Sequence, residues 1–267
     1  VISVTLRKPR IAIPVPNSKR PLYARVALPQ YERAIRNAGG VPVVIEVNAT
    51  SSEIAQAVKS CDGVLLPGSP ADVDPEKYGA TRHPETAPSD PIRDNTDELL
   101  LQDAYNMRKP VFGICYGLQS LNVWRTGTLD QHLPPGVNHE AGRRVAEAHR
   151  VQIDPESKLA AILRDAGALP DSKDFVIQVN SSHHQAPETV GDGLRLVAWC
   201  PEDNVREAVE GTAPDQFVLG VQWHPERTYD SDEASRAIFR AFVRAAAEWH
   251  QQLAKKQHDF ESVARKS

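Results

Sequence analysis

An α/β fold built on a mostly parallel sheet with helices on both faces is the class that this sequence predicts, and three observations predict it. Short apolar runs of strand length alternate with helix-period segments through the first half of the chain, the rhythm of parallel strands joined by crossover helices. The second half adds further strand-length runs with few helices between them, which suits antiparallel additions. The third is the stretch Gly113-Ile114-Cys115-Tyr116-Gly117-Leu118-Gln119, where a buried strand gives way to a helix across a sharp turn. With 267 residues, 40% of them hydrophobic, the chain can bury a full core. No linker or composition shift divides it, so residues 1–250 read as one domain, followed by a polar, fraying tail at 251–267.

Each element has a local reason. Arg10-Ile11-Ala12-Ile13-Pro14 is a short buried strand. After Pro29, residues 31–37 read as helix, stopped by Gly39-Gly40. Val41-Pro42-Val43-Val44-Ile45 is the second strand. Thr50-Ser51-Ser52-Glu53 has capping-box spacing and opens a helix that runs through Lys59. Gly63-Val64-Leu65-Leu66-Pro67 is the third strand, its end marked by proline. The loop from Gly68-Ser69-Pro70 through Tyr78-Gly79 to Pro91 is long enough to be functional or mobile. Residues 95–107 form a helix carrying Leu99, Leu100, Leu101 and Tyr105 toward the core. Lys109-Pro110-Val111-Phe112 is the strand before the cysteine turn, and residues 118–124 are the helix after it. Residues 127–136 read as an irregular connection. Strands follow at 144–153, 175–180, 194–200, 205–210 and 216–223, with a short helix at 157–165. Ser231-Asp232-Glu233 caps a long amphipathic helix with Ala234, Ile238, Phe239, Phe242, Val243 and Trp249 along one side.

Charge and cysteine usage narrow the partners. The 35 acidic and 31 basic residues are interspersed and leave a net charge of −4, which argues against nucleic acid or an anionic membrane surface. No apolar stretch is long enough to span a bilayer, and residues 1–14 lack a signal-peptide pattern, so a cytoplasmic location is the expectation. Cys61, Cys115 and Cys200 are widely spaced and odd in number, which suits a reducing compartment.

The chemistry concentrates at two places. A cysteine between glycines at a strand-to-helix junction is exposed on a sharp turn, at a helix N-terminus that favours its thiolate. Cys115 therefore reads as a nucleophile, the plainer alternative being a small buried core cysteine. A thiolate needs a base, and Val221-Gln222-Trp223-His224-Pro225-Glu226 offers one at a strand end. In an extended backbone the carboxylate of Glu226 lies beside the imidazole of His224, with Pro225 closing the strand. The loop after the third strand emerges on the same sheet edge as Cys115, which positions the backbone N–H groups of Gly68 and Ser69 to face the sulfur's target; an ordinary surface turn is the equal alternative.

Asn180-Ser181-Ser182-His183-His184-Gln185 ends another strand. Together with His224 its paired histidines have the look of metal ligands, but no cysteine or carboxylate falls at ligand spacing nearby, and the reading without a metal is preferred. Ser181, Ser182 and His184 instead offer donors to a charged substrate, while His183 or His184 could also serve backbone groups in the core. His83, His139, His149, His250 and His258 read as surface residues. The charges at Arg93-Asp94 and Asp72 to Asp74 read as solvated, with substrate contact as the alternative.

The cysteine turn and the His224-Pro225-Glu226 triplet resemble the class I glutamine amidotransferase superfamily. Leu66-Pro67-Gly68-Ser69-Pro70 with Val73 and Tyr78-Gly79, Arg93-Asp94, and Val179-Asn180-Ser181-Ser182-His183-His184-Gln185-Ala186 resemble its gamma-glutamyl-gamma-aminobutyrate hydrolase branch. The likeness runs from about residue 8 to residue 249. It implies a flavodoxin-like, doubly wound sheet with added antiparallel strands and a triad of Cys115, His224 and Glu226. It also implies an oxyanion hole from the backbone N–H groups of Tyr116 and the Gly68-Ser69 turn, with Gln119 lining the glutamyl pocket. The implied activity is hydrolysis of a small-molecule γ-glutamyl amide or isopeptide to glutamate and an amine through a thioester, requiring neither cofactor nor metal. Two alternatives stand beside it: a glutaminase subunit passing ammonia to a separate synthetase, and a non-catalytic small-molecule binder. The residue after the cysteine, often arginine in this branch, is Tyr116, and the paired glycines expected before Thr128 are reduced to Thr126-Gly127. Pairing into a homodimer is left open.

Overall fold

The computed structural model describes residues 7–169 and 175–264, with side chains as far as residue 255. Strand β1 (Arg10–Pro14) leads to helix α1 (Pro21–Asn37), β2 (Val41–Ile45), α2 (Ser51–Lys59) and β3 (Gly63–Leu66). A 3-10 turn at Pro75–Tyr78 interrupts the long loop before α3 (Pro91–Met107), β4 (Val111–Ile114) and α4 (Tyr116–Trp124). Then come β5 (Thr128–Asp130), β6 (His149–Ile153), α5 (Lys158–Asp165), β7 (Val176–Val179), β8 (Ala186–Thr189) and β9 (Leu194–Trp199). The chain closes with β10 (Arg206–Gly211), β11 (Val218–Val221), the single turn α6 (Pro225–Thr228) and α7 (Glu233–Ala264).

Nine strands form one sheet in the order β2-β1-β3-β4-β11-β10-β9-β6-β7. From β2 to β11 every pairing is parallel, and this half has the flavodoxin-like order in which chain reversal leaves a crevice beyond the carboxyl ends of the strands. From β11 to β7 every pairing is antiparallel. β5, within the 127–136 connection expected to be irregular, pairs with β8 in a separate two-stranded sheet.

Successive strand residues feed opposite layers, as a pleat with a period of two requires. Ile11, Ile13, Leu65, Phe112 and Ile114 pack with α1, α5 and α7. Ala12, Val64, Leu66 and Val111 pack with α2, α3 and α4. The capping box of α2 forms as expected, Thr50 accepting from the Glu53 N–H while the Glu53 carboxylate accepts from the Thr50 N–H at 2.7 Å. Four boundaries differ. β6 begins at His149 and not at residue 144, because residues 143–146 turn before the chain joins the sheet. α1 begins at Pro21 and carries Pro29 within it, on its exposed side, where one intrahelical hydrogen bond is lost but the buried stripe runs on. α3 begins at Pro91, capped by Asp90, whose side chain accepts from the Arg93 N–H. α7, capped by Asp232, continues to Ala264, so the break expected after residue 250 is a helix; residues 265–267 of the expected tail, and the first six of the chain, lie outside the described residues. Among the described residues no helix is long and apolar enough to cross a membrane.

Candidate active site

The carboxyl ends of β3, β4 and β11 deliver Gly68, Cys115 and His224 to one edge of the sheet. Cys115 carries the strain of its turn, with φ 52° and ψ −109°, a conformation that costs a residue bearing a Cβ about 1–3 kcal/mol. The flanking glycines serve close approach instead. A Cβ on Gly117 would stand 2.1 Å from the Leu66 carbonyl oxygen, and one on Gly113 would stand 2.7 Å from that of Gly117. The turn is sharp because β3, β4 and the start of α4 meet backbone to backbone. The Cys115 N–H donates to the Val221 carbonyl at 2.8 Å, which ties the turn to β11.

His224 caps α6, with Pro225 in the first helical position, where fixed φ and a missing N–H do no harm. The extended stretch expected across this triplet is therefore a strand end and one helical turn. The turn still sets His224 Nδ1 2.8 Å from Glu226 Oε1, with both side chains 2% exposed. Asn180, just beyond β7, grips the His224 backbone from both sides: its Oδ1 accepts from the N–H at 2.9 Å and its Nδ2 donates to the carbonyl at 2.8 Å. The place a Cβ on Gly68 would occupy lies 2.9 Å from His224 Cε1 and 3.5 Å from Cys115 Cβ, so the three residues crowd one point that only glycine leaves open. The Gly68 N–H donates to the Tyr31 hydroxyl at 3.0 Å. The Ser69 N–H has no partner among the described residues and is the donor this turn offers.

Arg93 and Asp94 are buried, contrary to the expectation of solvated charge. Arg93 donates to the Pro67 carbonyl at 2.6 Å, to the Pro16 carbonyl at 2.7 Å and to Asp97 at 2.7 Å, and its guanidinium lies over the Tyr116 ring. Asp94 accepts from the Tyr116 hydroxyl. The pair braces both turns that face Cys115, one through Pro67 and one through Tyr116.

A cleft of about 210 Å³ opens over Cys115, with Ser69, Asp72, Gln119, Ser182 and His184 in its walls. Ser181 is not among them: it is fully buried and donates to the His139 carbonyl at 2.6 Å. The Ser182 hydroxyl accepts from Arg227 Nη1 at 2.7 Å. His184 Nε2 stands 3.1 Å from Asp72, whose hydrogen bond raises the imidazole's pKa. Gln119 donates to the Gln185 carbonyl at 2.9 Å.

Electrostatics here departs from the sequence expectation. Burial pushes the Cys115 thiol up to about 12, against the opposing pull of the Arg227 guanidinium and the Tyr116 backbone N–H. The helix N-terminus does favour the thiolate, but desolvation outweighs it. Burial, with Arg227 behind it, lowers His224 to about 4 against the attraction of Glu226. For Glu226 burial acts upward, and the imidazole and Arg227 outweigh it and hold the carboxyl below its ordinary range. Near neutrality the three are a thiol, a neutral imidazole and a carboxylate. Asn180 and Arg227 escaped the sequence reading, although each adjoins a residue it singled out.

The histidines expected at the surface divide. His83 is exposed and His250 is half-buried against Asp62 at 3.1 Å, while the side chain of His258 lies outside the described residues. His139 and His149 are buried, 4% and 6% exposed, because the 137–142 loop and β6 fold them inward against Glu207.

A doubly wound sheet with a cysteine turn facing a His-Pro-Glu turn is the architecture of the glutamine amidotransferase-like class. Within that class, the Peptidase C26 family model matches residues 15–226, and the chain belongs to that family. It is 34% identical over 238 residues to the gamma-glutamyl-gamma-aminobutyrate hydrolase of Shigella flexneri, covering 85% of this chain and 88% of the relative. It is 34% identical over 226 residues to gamma-glutamyl-gamma-aminobutyrate hydrolase PuuD of Escherichia coli strain K12, covering 81% and 84%. Among solved structures, a Thermoplasma acidophilum protein provisionally identified as a GMP synthase subunit superposes with a TM-score of 0.62 at 16% identity, over 92% of this chain and 98% of that one. At that identity the likeness is one of fold.

Proposed function

We propose that this chain is a cysteine-dependent hydrolase that cleaves a γ-glutamyl amide or isopeptide, of the γ-glutamyl-γ-aminobutyrate kind, to glutamate and an amine. The observation that carries the reading is the crowding of Cys115, His224 and Gly68 around one point at the cleft, with Glu226 bonded to the imidazole behind. The names of the relatives above supply the substrate class.

The mechanism starts from the neutral pair. As the Cys115 sulfur bonds the γ-carbonyl carbon, its proton passes to His224 Nε2, the nitrogen that Glu226 leaves free. Charge arriving on the carbonyl oxygen meets the N–H groups of Tyr116 and Ser69, each worth on the order of 3 kcal/mol of barrier. Collapse breaks the C–N bond, and the imidazolium gives its proton to the departing amine. Water then bonds the acyl carbon as His224 takes its proton, the C–S bond breaks, and glutamate leaves as the thiol is restored. Glu226 fixes the tautomer and stabilises the imidazolium in both halves. Gln119, Ser182 and His184 face the bound glutamyl group. The three free, buried cysteines suit action in a reducing cytoplasm.

Purified protein alone, given a panel of γ-glutamyl amides, is expected to release glutamate, and Cys115→Ala to release none. Turnover that appears only with an added synthetase would make the chain an ammonia-supplying subunit instead. Undiminished release by Cys115→Ala would overturn the reading.

A further inference from the structure

On the antiparallel side of the sheet, three imidazoles and one carboxylate converge from distant parts of the sequence. His149 opens β6, His183 follows β7, His139 lies on the 137–142 loop, and Glu207 sits on β10 at a shift in its register with β9. Such a bulge re-aims a side chain that regular pairing would send elsewhere. All four side chains are buried, 6% exposed or less. Their ligand atoms lie within 4.8 Å of one another.

The outer side of each ring is spoken for. His149 Nδ1 meets the Arg150 carbonyl at 3.1 Å, His183 Nδ1 meets the Gln185 carbonyl at 3.0 Å, and His139 Nε2 meets Asp203 at 2.8 Å. A carbonyl can only accept, so His149 and His183 carry their N–H outward, and a carboxylate asks the same of His139. Each neutral ring then turns a bare lone pair inward, at His139 Nδ1, His149 Nε2 and His183 Nε2. None of these three atoms, and neither oxygen of Glu207, has a hydrogen-bond partner among the described residues. Five buried acceptors facing one another without a donor repel, and a cation held among them removes that repulsion. An outward N–H held by a carbonyl or carboxylate is also what orients a histidine that ligates a metal.

Three of the six edges are fixed by the distances to Glu207, and the donor set narrows the choice. The three inward nitrogens lie 3.4, 3.4 and 3.7 Å from Glu207 Oε1. Around an ion with bonds of about 2.0–2.1 Å, a tetrahedron has an edge of roughly 3.3–3.4 Å. Three nitrogens and one carboxylate oxygen suit a borderline first-row ion, not calcium or magnesium. We infer that His139, His149, His183 and Glu207 form a closed, four-ligand site for a divalent transition ion, zinc(II) by geometry and donor set. With four protein ligands and no open position, the site is structural. It fastens the 180–185 segment, which supplies Asn180 to His224 and Ser182, His184 and Gln185 to the cleft, onto β6 and β10.

The test is metal content, independent of any turnover. Tag-free protein equilibrated with zinc and then dialysed is expected to retain about one zinc per chain by plasma mass spectrometry. Cobalt(II) in its place should give the intense visible bands of four-coordination, and saturating zinc should raise the Tm of chelator-stripped protein by roughly 5–10 °C. Glu207→Gln combined with His149→Gln should lower retained zinc at least tenfold, while Cys115→Ala and His132→Ala keep it. Retention below about a tenth of an equivalent by the unmodified chain would overturn the inference, and so would full retention by the double variant. If the double variant fails to fold by circular dichroism, the unmodified chain decides alone: weak six-coordinate cobalt bands, or a Tm indifferent to zinc, contradict the site.

Discussion

Two buried groups of histidine and carboxylate stand on the two halves of one sheet, and they are wired in opposite senses. At the carboxyl edge of the parallel half, one imidazole meets one carboxylate through Nδ1, and its Cε1 and the Cβ of Cys115 crowd the same point beside Gly68. On the antiparallel half, three imidazoles turn their N–H groups away from the shared carboxylate and present it only lone pairs. The first arrangement has a free site for one proton in transit. The second has, among the described residues, no donor to balance its acceptors and asks for a resident cation. Residue type is the same in both, so the direction of the N–H groups decides what a buried histidine does.

The comparison can be broken first at its active side. Cys115→Ala should reduce glutamate release ten-thousandfold or more, to background, with Tm unchanged. Glu226→Gln keeps the shape but stabilises the wrong tautomer and withdraws support from the imidazolium; kcat should fall roughly a thousandfold while KM stays nearly constant, read by steady-state kinetics. Gly117→Ala forces a methyl to within 2.1 Å of a backbone oxygen and should cost about 3 kcal/mol in urea unfolding, the upper range for overpacking.

Protonation sharpens the same contrast. His224 sits at about 4 in the folded chain and near 6.5 once unfolded, so between those values the unfolded state binds the extra proton. Stability must therefore fall as pH drops through that window, by up to about 3 kcal/mol from this residue, and His224→Gln should flatten that part of the curve. kcat/KM should rise through about pH 4 as His224 is freed of its proton, with no alkaline decline from Cys115 below about 12. The smallest effect is expected at Asn180→Ala, which frees the His224 backbone: kcat should drop about tenfold with KM unchanged, the size of one lost buried hydrogen-bonding partner.

What the sequence disclosed follows the range of the forces involved. The glycine-flanked Cys115 and the His224-Pro225-Glu226 triplet are local, and their geometry is written in adjacent residues. The strands and the capping box of α2 were legible for the same reason. Pro29 misled because a proline reads as a boundary, although Ala24, Ala27, Tyr31, Ala34 and Ile35 carry the buried stripe of α1 straight through it. β5 is only three residues long, and β8, Ala186-Pro187-Glu188-Thr189, carries a proline and no apolar run. His149 alternates in phase with the buried Val151 and Ile153, a signal its polar ring masks, whereas His139 lies on a loop with no periodic pattern; pairing of β6 with β7 and the bulge at Glu207 gather them. The thiol's resting state was misjudged because the turn advertises the helix end and conceals the desolvation.

In the proposed reaction a γ-glutamyl group passes through the sulfur of Cys115. Protein mixed with a γ-glutamyl amide and quenched in acid within milliseconds should show, by intact-mass spectrometry, a species heavier by one glutamyl residue, mapped by digestion to Cys115 and absent from Cys115→Ala. Turnover with no acylated species, together with undiminished turnover by Cys115→Ala, would contradict it.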